Sequence, residues 1–167
     1  MWSRCRYLVE AIARSATRRP LVICGDGAER PALEELATAS GVDLDLRGET
    51  PNDEVRRLML ESAVVAVPSL AESFGRTVLE ALAARTPVVA SDVGGPAEIL
   101  TDGTEGFLVP AGDAESLARA LDAALDPEAN RVLAAAARAT FEQRFELRTR
   151  VARIADWLEG RADDASS

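Results

Sequence analysis

The chain has 167 residues, of which 47% are hydrophobic and 28% charged, and this length and composition fit one globular domain. Its formal net charge of −9 argues against nucleic-acid binding, which needs a basic surface, and the lack of histidine excludes chemistry that depends on an imidazole. No apolar run approaches the ~20 residues of a membrane span, and Met1 to Arg6 lack the apolar core of a signal peptide, so we expect a cytoplasmic protein.

All 19 basic residues are arginine, and together with the many alanines this suggests a high-G+C coding bias and a bacterial source. The two cysteines, Cys5 and Cys24, are too few for a disulfide framework or a metal site. Because Cys24 ends an apolar run, we expect it to be a small buried core residue.

Apolar runs of strand length alternate with segments of helical periodicity along the whole chain. The predicted strands cover residues 21–24, 42–48, 63–68, 87–90 and 106–110. The predicted helices cover residues 7–15, 31–39, 52–62 and about 75–84, then one helix capped by Asp113 and two more, the last with Leu147, Val151, Ile154 and Leu158 on its inner stripe. This alternation is typical of parallel crossovers, so residues 1–160 are predicted to form a Rossmann-like, doubly wound α/β domain, a parallel sheet flanked by helices. Residues 161–167 are polar and are predicted to be a disordered tail.

Several predicted strands end in glycine-containing loops, at residues 25–27, 48–50 and 92–95, and the segment 69–75 leads directly into a helix. Ligands of open α/β sheets bind beyond the carboxyl ends of the strands, and the unpaired N–H groups of a helix start suit a phosphate. Glycine after a strand is also ordinary turn chemistry, so each loop alone is weak support for a binding site.

Two glutamates near this helix start are the strongest candidates for chemistry. Glu72 lies just before the helix, and Glu80 lies inside it among apolar residues. An acid that faces the ligand crevice from this position would accept hydrogen bonds from two ribose hydroxyls. The alternative is that Glu80 is a solvated surface residue that stabilises the start of the helix.

Glu72 and Glu80 are separated by seven residues that include Phe74-Gly75, and this pattern resembles the E-x7-E signature of retaining GT-B glycosyltransferases in the large glycosyltransferase family four. The resemblance extends over residues 7–159, in the expected order. It includes the strand–GDG–helix unit of residues 21–36, the segment 86–95 (TPVVASDVGG) and the segment 102–110 (DGTEGFLVP). The chain thus resembles the C-terminal, donor-binding half of a GT-B fold.

The resemblance implies a hexose transfer from a nucleoside-diphosphate sugar with retention of configuration, without a metal or other cofactor. Glu72 would be the catalytic residue, in contact with the donor sugar near the reacting carbon, and Glu80 would bind the ribose. The other residues implied in donor or nucleotide binding are Ser73, Phe74, Gly75, Arg76 and Thr77 at the helix start, and Gly25, Gly27, Gly48, Glu49 and Thr50 in the loops, with residues 48–50 near the base.

The sequence departs from the family at its beginning. The first strand of the family's domain, with an arginine and a lysine that grip the diphosphate, has no counterpart before Tyr7. Arg4, Arg6 or Arg76 could substitute for these cations. In the family's sheet that strand lies between the strands matching residues 21–24 and 63–68, so these two are expected either to pair directly or to leave backbone groups unpaired.

We therefore expect a truncated chain that is inactive and poorly stable alone, with the strand and the acceptor domain supplied by a longer natural protein or by a partner chain. The resemblance also allows a full enzyme to associate with a membrane surface. Two other functions stay open: a non-catalytic nucleotide-binding remnant or interaction module, and one half of a sugar-nucleotide epimerase, which fits the E-x7-E segment less well.

Overall fold

The computed structural model describes residues 5–146. The predicted last helix with its stripe from Leu147 to Leu158, the candidate cation Arg4 and the predicted tail lie outside these residues. The strands are β1 (Leu21–Cys24), β2 (Leu44–Gly48), β3 (Val65–Val67), β4 (Val88–Ser91) and β5 (Gly106–Val109). The helices are α1 (Cys5–Arg14), α2 (Arg30–Ser40), α3 (Asn52–Glu61), α4 (Arg76–Ala83), α5 (Gly94–Ile99), α6 (Ala114–Leu125) and α7 (Pro127–Thr140), followed by a π-helical turn (Phe141–Phe145).

The predicted α/β class is confirmed, and the described strands form parallel pairs. In one sheet β1 pairs with β2, and in the other the order is β3-β4-β5. Within residues 5–146, β1 and β3 do not pair with each other, so the described strands form two sheets. Each of these two strands therefore has one edge that no strand of the described part covers.

The open edges expose particular backbone groups. The N–H of Leu21 donates to the carbonyl of Asp43, and the N–H of Val65 donates to the carbonyl of Pro87, so these residues face their paired neighbours. Because backbone groups alternate between the two sides of a strand, Val22 and Ala66 present theirs to the open edges. Of the two outcomes expected from the sequence, β1 and β3 do not pair directly, and within the described residues their facing backbone groups are left without a strand partner.

Local sequence sets the limits of the helices. Asp113 caps α6, as predicted, because its carboxylate accepts hydrogen bonds from the N–H groups of Glu115 and Ser116. Asp126 caps α7 in the same way, with Pro127 as the first helical residue. The sequence predicts a turn that includes Gly94 and Gly95, and this prediction is wrong. The two glycines begin a six-residue helix, α5 (Gly94–Ile99).

The core consists of two clusters on opposite faces of β4. Val89 joins a cluster built from β1, α1, α2 and α6, whereas Val88 and Ala90 join a cluster with α4 and Ala137 of α7. Successive side chains of a strand point to opposite faces, so β4 is buried on both sides. Each fully buried valine or leucine contributes about 1.5–3 kcal/mol.

The two-stranded sheet is covered on one face only. Leu21 and Ile23 are buried, whereas Val22 and Cys24 are exposed. The prediction of a buried Cys24 is therefore wrong, because the apolar composition of a strand does not reveal which of its faces a helix covers. In residues 5–146, no helix has the length and apolarity to cross a membrane.

Candidate functional site

The start of α4 is shaped to hold an anion. Gly75 adopts left-handed backbone angles (φ 64°) just before the helix begins at Arg76. The Glu72 carboxylate accepts hydrogen bonds from the N–H groups of Phe74 (3.4 Å) and Gly75 (3.3 Å). A helix N-terminus carries a partial positive charge, so these long hydrogen bonds place a negative group where the field favours it. The amides of Phe74 and Gly75, which the resemblance implies in binding the sugar nucleotide, thus donate to a carboxylate of the chain itself.

The side chains of this tip are mostly accessible. Ser73, Arg76 and Thr77 are exposed, and the Phe74 ring is 78% exposed. By contrast, Val78, Ala81 and Leu82 are buried and anchor α4 to the core. The tip is therefore held by the body of the helix, while the side chains of Ser73, Phe74, Arg76 and Thr77 stay exposed.

Glu80 lies on the accessible side of α4 with 42% of its side chain exposed. Its Oε1 is 3.8 Å from the guanidinium of Arg76, one helical turn earlier. An exposed pair of this kind contributes only about 0–1 kcal/mol to stability. Both interpretations of Glu80 remain compatible with this position, because a ribose could replace Arg76 at little cost.

A shallow depression of about 370 Å³ lies between α3 and α4 next to Glu80. Its lining is mainly apolar and consists of Arg56, Leu60, Leu79, Glu80, Ala83, Ala84 and Phe141. An apolar surface with one carboxylate and one guanidinium at its border could accept the flat face of a nucleoside.

The loops after β1 and β2 meet each other. Gly25 and Gly48 form a backbone bridge, in which the Gly25 N–H donates to the Gly48 carbonyl at 2.6 Å. The Gly27 N–H donates to the Asp26 carboxylate at 2.8 Å, and the Thr50 hydroxyl donates to the Gly48 carbonyl at 3.0 Å. Glu49 is exposed beside them. The structure therefore brings together the predicted base-side residues, on a different sheet from Glu72 and Glu80.

The predicted substitute cations are engaged by nearby acids. The Arg6 Nε donates to Glu10 at 2.8 Å, and this hydrogen bond raises the pKa of the arginine further above its ordinary value. Arg76 lies beside Glu80, as described above. Each is an exposed side chain on a surface helix, and rotation about its side-chain bonds would be enough to reach a ligand.

Sequence reasoning missed two features of this site. The N–H of Gly95, at the start of α5, donates to the carbonyl of Glu72 at 2.9 Å. Tyr7 of α1 lies beside Gly112 and Leu70, so the start of α1 belongs to the same edge of the fold as the Glu72 loop. The consecutive glycines at 94 and 95 are the sequence signal of the first contact, and the sequence places them in a glycine loop after a strand without indicating what they contact.

Comparison with known proteins decides the family. Residues 4–140 match the family described as "Glycosyl transferases group 1". The chain belongs to this family. It is 40% identical over 145 residues to the D-inositol 3-phosphate glycosyltransferase of Kribbella flavida, a match that covers 78% of this chain and 34% of that protein. It is 38% identical over 115 residues to the lipopolysaccharide core biosynthesis glycosyltransferase LpsE of Rhizobium meliloti, covering 69% of this chain and 34% of the relative.

Solved structures agree with the family assignment. The Anabaena protein HepE, solved in complex with UDP, superposes with a TM-score of 0.83 at 28% identity, over 95% of this chain and 46% of HepE. Sucrose-phosphate synthase from Thermosynechococcus elongatus superposes with a TM-score of 0.79 at 29% identity, over 98% of this chain and 43% of the synthase. The fold is thus that of GT-B glycosyltransferases, and the chain spans about a third of the curated relatives cited above and under half of these two structures.

Proposed function

We propose that this group 1 glycosyltransferase chain binds a nucleoside-diphosphate sugar and forms the donor half of an enzyme that transfers a hexose with retention of configuration. The observation that carries the proposal is the start of α4, where Glu72 and the amides of Phe74 and Gly75 lie just before the helix and the accessible Glu80 lies within it. This arrangement supports a phosphate-binding role for the start of α4 and a ribose-binding role for Glu80.

In the proposed reaction, the bond between the sugar and the diphosphate breaks, an acceptor hydroxyl oxygen forms the new bond to the sugar, and its proton leaves with the diphosphate. Negative charge develops on the departing oxygens as the first bond breaks. The tip amides of α4 would stabilise that charge through hydrogen bonds and the helix dipole. Glu72 would leave these amides and contact the sugar near the reacting carbon, and Ser73 and Thr77 would line the same end. Arg76 is a candidate for a further contact with the diphosphate. No metal or cofactor is part of the proposal.

The nucleoside would lie between two groups of residues. Glu80 would accept hydrogen bonds from the ribose hydroxyls, with the neighbouring apolar depression beside it. The joined loops that contain Gly25, Gly27 and Gly48 would face the nucleotide, and Glu49 and Thr50 would contact the base. HepE was solved with UDP and with UDP-glucose, so uridine nucleotides are the first ligands to test.

The test is titration of the chain, joined to its strand and acceptor domain, with UDP, GDP and ADP by calorimetry, followed by the variant Glu80→Ala. Loss of a charge-assisted hydrogen bond to ribose should weaken binding of the preferred nucleotide by about 1.5–3 kcal/mol. Glu61→Ala is a matched control, because Glu61 forms the same kind of exposed pair with the arginine four residues earlier. Equal affinity of Glu80→Ala and the control would remove Glu80 from the site.

We also propose that a single extended strand, from a partner chain or from a longer natural protein, lies between β1 and β3 in the working enzyme. It would pair with the open edges at Val22 and Ala66 and complete one continuous sheet. The chain alone should then self-associate or unfold at low denaturant and show no transferase activity. A sharp, reversible, monomeric unfolding transition would contradict this proposal.

The working location that fits the proposal is the cytoplasm, where nucleotide sugars are the donors, with contact to a membrane surface through other parts of the enzyme. A non-catalytic nucleotide-binding module is the second candidate, favoured by the open strand edges of the described residues. Joining the chain to an acceptor domain separates the two: transfer of sugar supports the enzyme, and nucleotide binding without transfer supports the module.

A further inference from the structure

The loop between β4 and α5 lies directly against the backbone of the α4 tip. The Gly95 N–H donates to the Glu72 carbonyl at 2.9 Å. A Cβ atom on Gly94 would lie 1.9 Å from that carbonyl oxygen, and one on Gly95 would lie 2.5 Å from the carbonyl carbon of Phe74. Side chains essentially never approach backbone atoms so closely, so only glycine fits at either position.

The contact between the start of α5 and the α4 tip is made by the main chain of both segments. A Cβ atom on Gly75 would lie 3.2 Å from the carbonyl carbon of Gly95 and 2.7 Å from the Cδ1 atom of Ile99. Helix α5 therefore packs directly against the α4 tip. The segment held in this way includes the amides of Phe74 and Gly75, which donate to the Glu72 carboxylate. The direction of these amides therefore depends on a segment that lies about twenty residues further along the chain.

We propose that Gly94 and Gly95 are positioning residues of the donor site: they hold the α4 tip so that the amides of Phe74 and Gly75 are aimed at the diphosphate. This rests on the function proposed above. The two glycines do not contact the donor, and their role is exerted through the carbonyl of Glu72 and the backbone of Phe74. Displacing the tip changes the phosphate contacts and leaves the base-side loops on the other sheet in place.

The chain offers a discriminating pair of variants. Gly95 has no left-handed backbone angle, so Gly95→Ala changes only the approach of the two segments. Gly103→Ala is the control: Gly103 has a left-handed angle (φ 75°) but nothing within 4 Å of its Cβ position, and it precedes β5, away from the tip. The control therefore loses stability through backbone strain without moving the site.

The experiment is a UDP titration of the wild-type chain and both variants, each joined to the proposed strand and acceptor domain, and it is followed through the backbone amide resonances. In the wild type, bound UDP should shift the amides of Phe74, Gly75, Glu49 and Thr50. In Gly95→Ala the affinity should fall by about tenfold or more, because a displacement of about 1 Å weakens such contacts strongly. At saturation, Glu49 and Thr50 should still shift while Phe74 and Gly75 should not. Gly103→Ala should behave as the wild type.

Three results would contradict the proposal in distinguishable ways. If Gly95→Ala binds UDP as the wild type does and shifts all four amides, the positioning role is wrong and the donor site stands. If Gly103→Ala loses affinity equally, the effect follows stability and the positioning role is again wrong. If the wild-type chain responds to none of UDP, GDP and ADP, the donor site itself is wrong.

A measurement on the wild type covers the case in which Gly95→Ala does not fold. The Gly95 amide is hydrogen-bonded to the tip, and the Gly103 amide is hydrogen-bonded to Gly106 elsewhere. If the glycine contact and the ligand stabilise the same arrangement, UDP at about ten times its Kd should slow hydrogen exchange at Gly95 by about tenfold, without an equal effect at Gly103. Equal slowing at both amides, or no slowing at Gly95, would overturn the proposal.

Discussion

The two sheets bury their strands differently. In the three-stranded half (β3, β4 and β5 with α4, α5 and α7), all four residues of β4 are buried, and its two faces pack against different clusters. In the two-stranded half (β1 and β2 with α1 and α2), burial alternates along each strand, and Asp45 and Arg47 form an ion pair on the open face.

This difference separates the two parts of the proposed site. The phosphate-side residues stand at the start of α4, which packs on the three-stranded half through its buried residues Val78, Ala81 and Leu82. The base-side loops stand on strands that are held from one side and that reach the rest of the core mainly through α1 and α6. We infer that the phosphate-binding geometry is built into the chain, whereas the base-binding geometry depends on how well the two-stranded half is held.

The sharpest test compares one leucine from each half. Leu82 of α4 is fully buried, whereas Leu46 of β2 is half-buried. Leu82→Ala should cost about 3–4 kcal/mol, since a cavity opens in a closed core, and Leu46→Ala should cost only about 1–2 kcal/mol. Urea unfolding of both variants measures the difference. Equal losses would mean that the two halves are equally well packed.

A buried carboxylate gives the next largest effect in the three-stranded half. Glu105 is only 2% exposed, and it accepts hydrogen bonds from the Thr101 N–H (2.8 Å) and the Thr140 hydroxyl (2.6 Å). Glu105→Ala should destabilise the chain by about 2–3 kcal/mol, because both donors lose their acceptor in a buried place. Thr140→Val, which removes one donor and keeps the shape, is the milder control. A smaller loss for Glu105→Ala than for the control would show that water replaces the carboxylate.

Much of this architecture could be predicted from the sequence, because periodicity identifies strands and helices and all five strands were found within two residues at each end. The glycine loops could be predicted to gather at one edge, since parallel strands bring their carboxyl ends together. Helix α5 was missed because its six residues start with Gly-Gly-Pro and are too few to show a period. The exposed Cys24, the two separate sheets and the contact of Gly95 with Glu72 depend on distant parts of the chain, which local patterns do not report.

The contact between the end of α1, in the two-stranded half, and α6, which packs against Val89 of β4, should be sensitive to acid. The Asp122 carboxylate of α6 accepts hydrogen bonds from Ser15, Ala16 and Thr17, which follow α1. Partial burial raises the pKa of Asp122, but these hydrogen bonds outweigh it and lower the pKa below its ordinary value. A lowered carboxyl pKa stabilises the fold above the unfolded-state pKa of about 3.9, and this stabilisation is lost as the pH falls through the lower folded-state value.

Asp122→Asn should therefore destabilise the chain by about 1 kcal/mol at neutral pH, and the difference from the wild type should shrink below a pH of about 4. Urea unfolding at several pH values measures this. Glu128→Gln on α7 is a suitable control, because its carboxylate pairs only with the exposed Arg131. A difference that stays constant down to low pH would show that the charge of Asp122 does not join the halves.

The smallest expected effect tests the open face of the two-stranded half. Val22 is 41% exposed on β1, whereas Val89 on β4 is fully buried. Val22→Thr should change the free energy of unfolding by less than about 0.5 kcal/mol, because its hydroxyl can reach water. Val89→Thr should cost about 1–3 kcal/mol, because the same hydroxyl is forced into the core. If Val22→Thr is as costly as Val89→Thr, the outer face of β1 is covered in solution and the contrast between the two halves does not hold.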